Sequence, residues 1–228
     1  MTRLQRGSHA ITPDSVAGNL DGGRGFQPLP GSMTMRRPVL FIVLFIAGFL
    51  STGATSASAQ SGTRFSIQGS ALFQGLSGDA YECFGGGVGA EGQVRINLEN
   101  GRSIGAGIQY SRHSFEEGCG ITAPLILVGV FMEPRLVLNL DATRAAPYAS
   151  ARLALLRQST TVNGESSVAT GVQLNAGGGI LVVANERTNL DIGATIGAVQ
   201  FGTYSNGNDA GSGLNFVLRV GISLAVGR

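Results

Sequence analysis

From about Gln60 onward, apolar residues alternate with small or polar residues along the chain, with a period of two. This period is typical of β-strands whose two faces meet different surroundings, because successive side chains on a strand point to opposite sides. In the clearest run, Val88 to Leu98, aliphatic residues and glycine share one face, while Glu91, Gln93 and Arg95 lie on the other. The pattern predicts eight strands, at roughly 64–73, 88–98, 103–113, 125–136, 147–156, 169–182, 190–201 and 214–226.

The connections between these runs alternate in length. Long segments rich in Gly, Ser and Asn lie at about 74–87, 114–124, 157–168 and 202–213, and shorter ones at 99–102, 139–146 and 185–189. The pair Asn100-Gly101 favours a two-residue type I′ hairpin, because both central residues of that turn need positive φ. Long outer loops that alternate with short inner turns are typical of membrane barrels. We therefore predict an all-β fold, a closed antiparallel eight-stranded up-and-down transmembrane β-barrel.

The polar faces of the strands carry three acids and four arginines. An eight-stranded barrel has an interior just wide enough to be filled by side chains, so we expect these groups to pair inside it and plug the lumen. The predicted polar network consists of Glu91, Arg95, Glu133, Arg135, Arg152, Asp191 and Arg219. A soluble lipocalin-like barrel would place the aliphatic face inside and lysine outside, but the chain has no Lys and no Trp. We therefore expect the aliphatic faces to meet lipid.

Aromatic residues near the strand ends are expected at the two membrane interfaces, where amphipathic rings are favoured. This places Phe65 and Tyr148 at the inner rim; an ordinary strand position is the alternative. The outer rim would carry Phe73, Tyr110, Phe201 and Phe216. Pro134 lacks a backbone donor, so we expect it at a strand end or a bulge.

The first 59 residues differ in composition from the rest. Residues 1–32 are polar and lack apolar periodicity, and we interpret them as disordered or as a mis-annotated upstream segment. Residues 33–59 have the three parts of a signal peptide: basic Arg36-Arg37, apolar Val39 to Leu50 and a small-residue cleavage site between Ala59 and Gln60. The apolar stretch would span only about 18 Å as a helix, too short to cross a bilayer. Residues 60–228 would form the exported barrel domain.

Export changes the charge of the protein and the expected state of its cysteines. Residues 60–228 contain 11 Arg against 12 Asp and Glu, a formal net charge of −1, which leaves no basic patch for nucleic acid. Cys83 and Cys119 would lie in the first two outer loops, on one rim, where an oxidising compartment permits a disulfide. Free thiols are the alternative to this bond, and metal binding by two isolated thiols is disfavoured.

One local pattern raises the possibility of enzymatic activity. His113 and Ser114 precede Glu116 and Glu117, and some eight-stranded barrels use Ser, His and Glu to deacylate lipid. Adjacent residues on a strand point to opposite faces, so we instead interpret His113 as a hydrogen-bonding rim residue. We expect no catalytic residues, no cofactor and no metal ion. The alternatives to a structural barrel are a lipid-modifying enzyme, a narrow pore and a soluble periplasmic binder.

The signal peptide, the eight alternating runs and the segments Phe131-Met132-Glu133-Pro134-Arg135 and Pro147-Tyr148-Ala149 resemble the small outer-membrane β-barrels of the OmpA-like and OmpX-like kind. The resemblance covers residues 60–228 and rests on pattern. It implies insertion into outer-membrane lipid by the barrel assembly machinery and a lumen plugged by polar side chains. Our leading hypothesis is a structural or surface-interaction role. We expect the protein to be a monomer.

Overall fold

The computed structural model describes residues 65–226, apart from residues 120, 143, 163 and 206. The predictions for residues 1–32, for a signal peptide at 33–59 and for cleavage between Ala59 and Gln60 therefore lie outside the described residues. In the described part, no helix is both long enough and apolar enough to cross a membrane.

Eight antiparallel strands form one closed sheet, which confirms the predicted barrel. Each strand pairs with the next one in the chain, and the last pairs with the first. A single turn of 3-10 helix at Asp79–Tyr81 lies between the first two strands. The strands are β1 (Phe65–Ser77), β2 (Phe84–Asn97), β3 (Arg102–Phe115), β4 (Leu125–Val137), β5 (Ala145–Val162), β6 (Glu165–Asn185), β7 (Thr188–Phe201) and β8 (Ser212–Val226).

The strands are strongly tilted. Following the pairing partners of Ile67 from β2 round to β8 leads to Leu214, whose partner on β1 is Ser77. The register therefore returns to β1 displaced by 77 minus 67, or 10 residues. A displacement of this size in eight strands corresponds to a tilt on the order of 40° from the barrel axis.

Burial along each strand follows the period of two seen in the sequence. On β8, Asn215 and Arg219 are 1% and 3% exposed, whereas Leu218 and Val220 are 44% and 52% exposed. A single closed sheet has only an inside and an outside, so the buried side chains of each strand line the interior. Most of the aliphatic side chains lie on the outer wall, as the sequence predicts, and a smaller set faces inward.

The connections define two ends of the barrel. We call the end with the connections 78–83, 116–124, 163–164 and 202–211 the outer end, and the end with 98–101, 138–144 and 186–187 the inner end. The predicted hairpin turn is confirmed at the inner end, where Asn100 and Gly101 have φ values of 61° and 69°. The φ of Gly101 is one that glycine adopts at little steric cost.

The predicted loop at 157–168 is wrong, because β5 and β6 continue through it. Val162 pairs with Glu165, and Gly164 has a φ of 83°. The sequence there is Asn163-Gly164, the same dipeptide that favours a tight hairpin in the first inner turn. The surrounding Ser and Thr residues resemble a loop in composition, although threonine is also favoured in strands.

The expectation that Pro134 marks a strand end or a bulge is also wrong. Pro134 lies inside β4 and pairs with Ile104 of β3. The ladder to β5 skips positions 133 and 134 and keeps the same register on both sides of this gap. The missing donor is therefore accommodated by a local interruption of one ladder, without an extra residue.

Candidate functional site in the barrel interior

The structure brings the seven ionic residues of the predicted network together in the middle of the barrel. They come from five strands, and none is more than 5% exposed. The residues are Glu91 and Arg95 on β2, Glu133 and Arg135 on β4, Arg152 on β5, Asp191 on β7 and Arg219 on β8.

Glu133 lies at the centre of this network. Its carboxylate accepts hydrogen bonds from Arg95 at 2.9 Å, from Arg135 at 3.1 Å and from Arg152 at 2.6 Å. Arg219 donates to both carboxylate oxygens of Glu133. Because β4 and β8 are not neighbours in the sheet, the contact between Glu133 and Arg219 crosses the lumen.

The two other carboxylates complete the network. Arg135 donates to Asp191 at 2.7 Å, and Arg152 donates to Glu91 at 2.5 and 3.2 Å. The Tyr148 hydroxyl donates to Asp191 at 2.6 Å. All three carboxylates thus accept hydrogen bonds from arginine, which offsets part of the cost of burying their charge. On the arginine side, the Nε–H groups of Arg95, Arg135 and Arg219 have no hydrogen-bond partner among the described residues.

Apolar residues form a cluster in the interior on the outer side of this network. This outer apolar cluster includes Leu125 and Leu127 of β4, which are 0% exposed, together with Leu156 and Phe201. Tyr81, from the 3-10 turn, packs into it and is 2% exposed. The sequence prediction missed this cluster, although the even spacing from Leu125 and Leu127 to Glu133 on one strand places all three on the inward face.

Two of the predicted interface aromatics point into the barrel. Tyr148 and Phe201 are each 3% exposed, so their expected rim positions are wrong. The Tyr148 ring lies 3.9 Å from the Arg135 guanidinium carbon, a cation–π contact inside the lumen. The other four face outward and are 40–45% exposed: Phe65, Phe73, Tyr110 and Phe216.

The predicted disulfide between Cys83 and Cys119 is confirmed, with a Cα–Cα distance of 6.1 Å. It joins the β1–β2 connection to the β3–β4 connection, and the backbone N–H of Glu116 also donates to the Cys83 carbonyl at 3.0 Å. The 3-10 turn that carries Tyr81 ends two residues before this bond. The disulfide therefore fixes the segment that covers the outer mouth of the barrel.

Backbone hydrogen bonds tie the other outer connections to the β5–β6 hairpin. The N–H of Thr122 donates to the Thr161 carbonyl at 3.1 Å. On the other edge of the hairpin, the N–H of Gly202 donates to Thr170 at 2.9 Å, and the N–H of Ser205 donates to Val168 at 3.0 Å. Bonds thus link the described outer connections in series, from the β1–β2 connection through the β3–β4 connection and the β5–β6 hairpin to the β7–β8 connection.

His113 is fully buried on the inward face of β3. Its Nε2 lies 3.3 Å from the Ser111 hydroxyl, and its Nδ1 lies 3.3 Å from the Gly85 carbonyl oxygen. Ser114 is exposed and follows on the opposite face. The two residues therefore do not form a nucleophile and base pair. In the described part of the chain, no group of three or more His, Cys, Asp or Glu side chains is arranged to hold a metal ion.

The barrel is similar to two solved structures of outer-membrane proteins. Neisserial surface protein A (NspA) is 17% identical over 72% of this chain and 98% of its own, with a TM-score of 0.54. Ail, the attachment invasion locus protein of Yersinia pestis, is 15% identical over 72% of this chain and 99% of its own, with a TM-score of 0.50. No protein-family model and no curated protein sequence matches. This chain therefore has the fold of the small eight-stranded outer-membrane barrels of the OmpA-like and OmpX-like kind.

Proposed function

We propose that this protein is an integral barrel of a bacterial outer membrane, non-enzymatic and closed to ions, with a structural or surface-interaction role. The observation that carries the proposal is the inverted distribution of side chains. Exposed aliphatic residues encircle the outer wall, and the charged network is buried inside. A soluble protein rarely exposes a contiguous apolar patch of more than a few hundred Å².

The height of the apolar belt supports membrane insertion. On the outward face of β3, Arg102 and Arg112 lie on either side of Ile104, Ala106, Ile108 and Tyr110. They are separated by 112 minus 102, or 10 residues. At about 3.3 Å per residue and a tilt on the order of 40°, this corresponds to roughly 25 Å along the barrel axis. Outer-membrane barrels carry an apolar band of about that height.

Membrane insertion is tested by fractionation and by gel migration of the unboiled protein. The chain is expected to remain with the outer membrane until detergent is added, and its unboiled form is expected to migrate faster than its boiled form. Release without detergent would contradict the proposal and favour a soluble periplasmic binder. Absence of a faster unboiled band would contradict a closed barrel.

The closed lumen is supported by two blocks in series. The ionic network crosses the middle of the barrel, and the outer apolar cluster, with Tyr81, packs between this network and the outer end. We expect no discrete current steps from the purified chain in planar lipid bilayers. Discrete openings in most recordings would contradict the closed lumen and favour a narrow pore.

A role in surface contact is supported by the outer connections, which a disulfide and backbone hydrogen bonds hold in a fixed arrangement. The two similar structures are named as a surface protein and an attachment invasion locus protein, which accords with this class of role. A closed sheet has no free edge to pair with a second copy, which supports a monomer. Insertion would use the barrel assembly machinery, and depletion of that machinery is expected to prevent the faster unboiled band from forming.

A further inference from the structure

Two arginines stand on the outward face of the barrel close to its outer end. Arg112 is on β3 and Arg157 is on β5, and both are exposed. Neither side chain has a hydrogen-bond or ion-pair partner in the described part of the chain. Each guanidinium therefore keeps all of its donors available for an external group.

The register places these two arginines side by side, with β4 between them. Arg112 pairs with Ile126 and Arg157 pairs with Val128, so the two lie two strands and two residues apart. Strand spacing and rise place their Cα atoms roughly 12 Å apart. Because the strands are tilted, a row of paired residues rises toward the outer end as it passes from β3 to β5. Arg157 lies two residues closer to the inner end than the β5 residue in the row of Arg112, and this offset cancels the rise. Both arginines therefore lie at nearly the same height.

The rest of the outward face offers no comparable pair. On the described strands, the only other outward charged residue is Arg102, at the inner edge of the belt, and no Asp or Glu faces outward within the belt. At matching heights on the far side lie uncharged residues such as Gln200 and Leu214. Glu116 and Glu117 follow β3 in the outer connection and form no ion pair with Arg112. The positive charge at this edge is thus confined to the β3–β5 side.

Two exposed guanidinium groups at the edge of a hydrocarbon layer favour anionic partners at that same depth. Lipid headgroup phosphates lie at this depth, and guanidinium matches phosphate with two parallel hydrogen bonds. We propose that Arg112 and Arg157 together bind the phosphate groups of a lipid of the outer leaflet. This inference rests on the proposed outer-membrane location.

The test uses the full chain, purified in detergent from the membranes of an expressing host. Native mass spectrometry measures how much protein retains diphosphoryl lipid A, compared with lipid A from which both phosphates have been removed. The wild-type chain is expected to prefer the phosphorylated form on the order of tenfold. Arg112→Gln with Arg157→Gln is expected to abolish this preference, and Arg112→Lys with Arg157→Lys to retain part of it. Equal retention of both lipids by the wild type would overturn the inference.

The matched control is Arg144→Gln with Arg187→Gln, which removes two exposed arginines from the inner end. This control should keep the wild-type preference for phosphorylated lipid A. Loss of the preference would show that it depends on the net charge of the protein and would overturn the inference. Excess inorganic phosphate should not displace the lipid, whereas displacement would show a site for free phosphate. Flotation with phosphatidylcholine vesicles is measured in parallel. If the protein floats with the vesicles but shows no preference for phosphorylated lipid A, only the arginine site is contradicted. If the protein does not float, the proposed function is contradicted.

Discussion

Glu133 is the residue on which the interior depends most. It is 0% exposed and lies within hydrogen-bonding distance of four arginines from four strands. Three carboxylates face four guanidinium groups in the network, so its formal charge is already +1. Any loss of a carboxylate leaves buried positive charge without compensation.

Glu133→Gln is therefore expected to lower the free energy of unfolding by about 3–5 kcal/mol, because removing one partner of a buried ion pair strands the other. Urea unfolding in detergent micelles, followed by circular dichroism, measures the change. Glu165→Gln is the control, since Glu165 is exposed at the start of β6 and its replacement should have little effect. Equal urea midpoints for Glu133→Gln and the wild type would show that the network does not stabilise the fold.

Tyr81 carries a second prediction at this scale. Its buried hydroxyl has no hydrogen-bond partner in the described residues, so Tyr81→Phe should leave the free energy of unfolding at neutral pH unchanged or raise it by about 1 kcal/mol. Burial raises the pKa of Tyr81, and Tyr204 and Asp209 raise it further. The stability linked to this group is therefore present below pH of about 10, the unfolded value, and is lost as the pH rises above it.

The measurement is the difference in urea midpoint between Tyr81→Phe and the wild type at pH 8 and at pH 11. The variant is expected to gain relative to the wild type at the higher pH. A difference that does not change between the two pH values would contradict a buried, un-ionised hydroxyl at Tyr81.

The inward position of Tyr148 shows what sequence reasoning could have found at the residue scale. The alternation correctly separates charged from aliphatic residues, and Tyr148 is an even number of residues from Arg152 on the same strand. The same spacing rule places it inside. Strand parity therefore decides the position of this ring, and the general preference of aromatic residues for membrane interfaces does not. The individual partners of each arginine could not be predicted, since they depend on which strands face each other across the lumen.

At the scale of elements, strand number and order follow from the sequence, while connection lengths follow only in part. The Asn100-Gly101 pair predicts the inner turn, whereas the Ser- and Thr-rich composition of residues 157–168 predicts a loop where β5 and β6 continue. A stretch of that composition can extend a strand when its neighbours supply backbone partners. Here Thr122, Gly202 and Ser205 supply them.

The disulfide is the connection whose removal is easiest to measure. Cys83→Ser with Cys119→Ser opens a segment of 36 residues. This is expected to lower the free energy of unfolding by roughly 3–4 kcal/mol in the loop-entropy model, without abolishing the faster unboiled band. Urea unfolding measures the loss. A thiol reductant should reproduce it in the wild type and have no effect on the variant, and equal midpoints with and without reductant would contradict a stabilising bond.

For the whole molecule, the outward belt determines which solvent the fold requires. Ile108 is 66% exposed, near the middle of the belt on β3. In water this exposure would favour aggregation, whereas in a bilayer each such side chain lies against hydrocarbon. The stability of the barrel therefore depends on the lipid around its outer wall as well as on the side-chain contacts inside it.

Ile108→Arg is expected to lower the free energy of unfolding in phosphatidylcholine vesicles by about 2–4 kcal/mol, since a charge near the bilayer midplane is costly. Ser114→Arg, on the same face but beyond Arg112, is the control and should cost little. Urea unfolding in vesicles compares the two. If Ile108→Arg is as stable as the control, the belt does not lie in hydrocarbon.

The bonded outer connections also determine how an antibody can bind this end of the barrel. In the described part of the chain these connections have no long free segment, and a disulfide and backbone hydrogen bonds fix their shape. The epitopes on this surface are therefore assembled from segments that are distant in the sequence. Antibodies raised against linear peptides would bind the native protein poorly, whereas antibodies raised against the refolded barrel would bind it well.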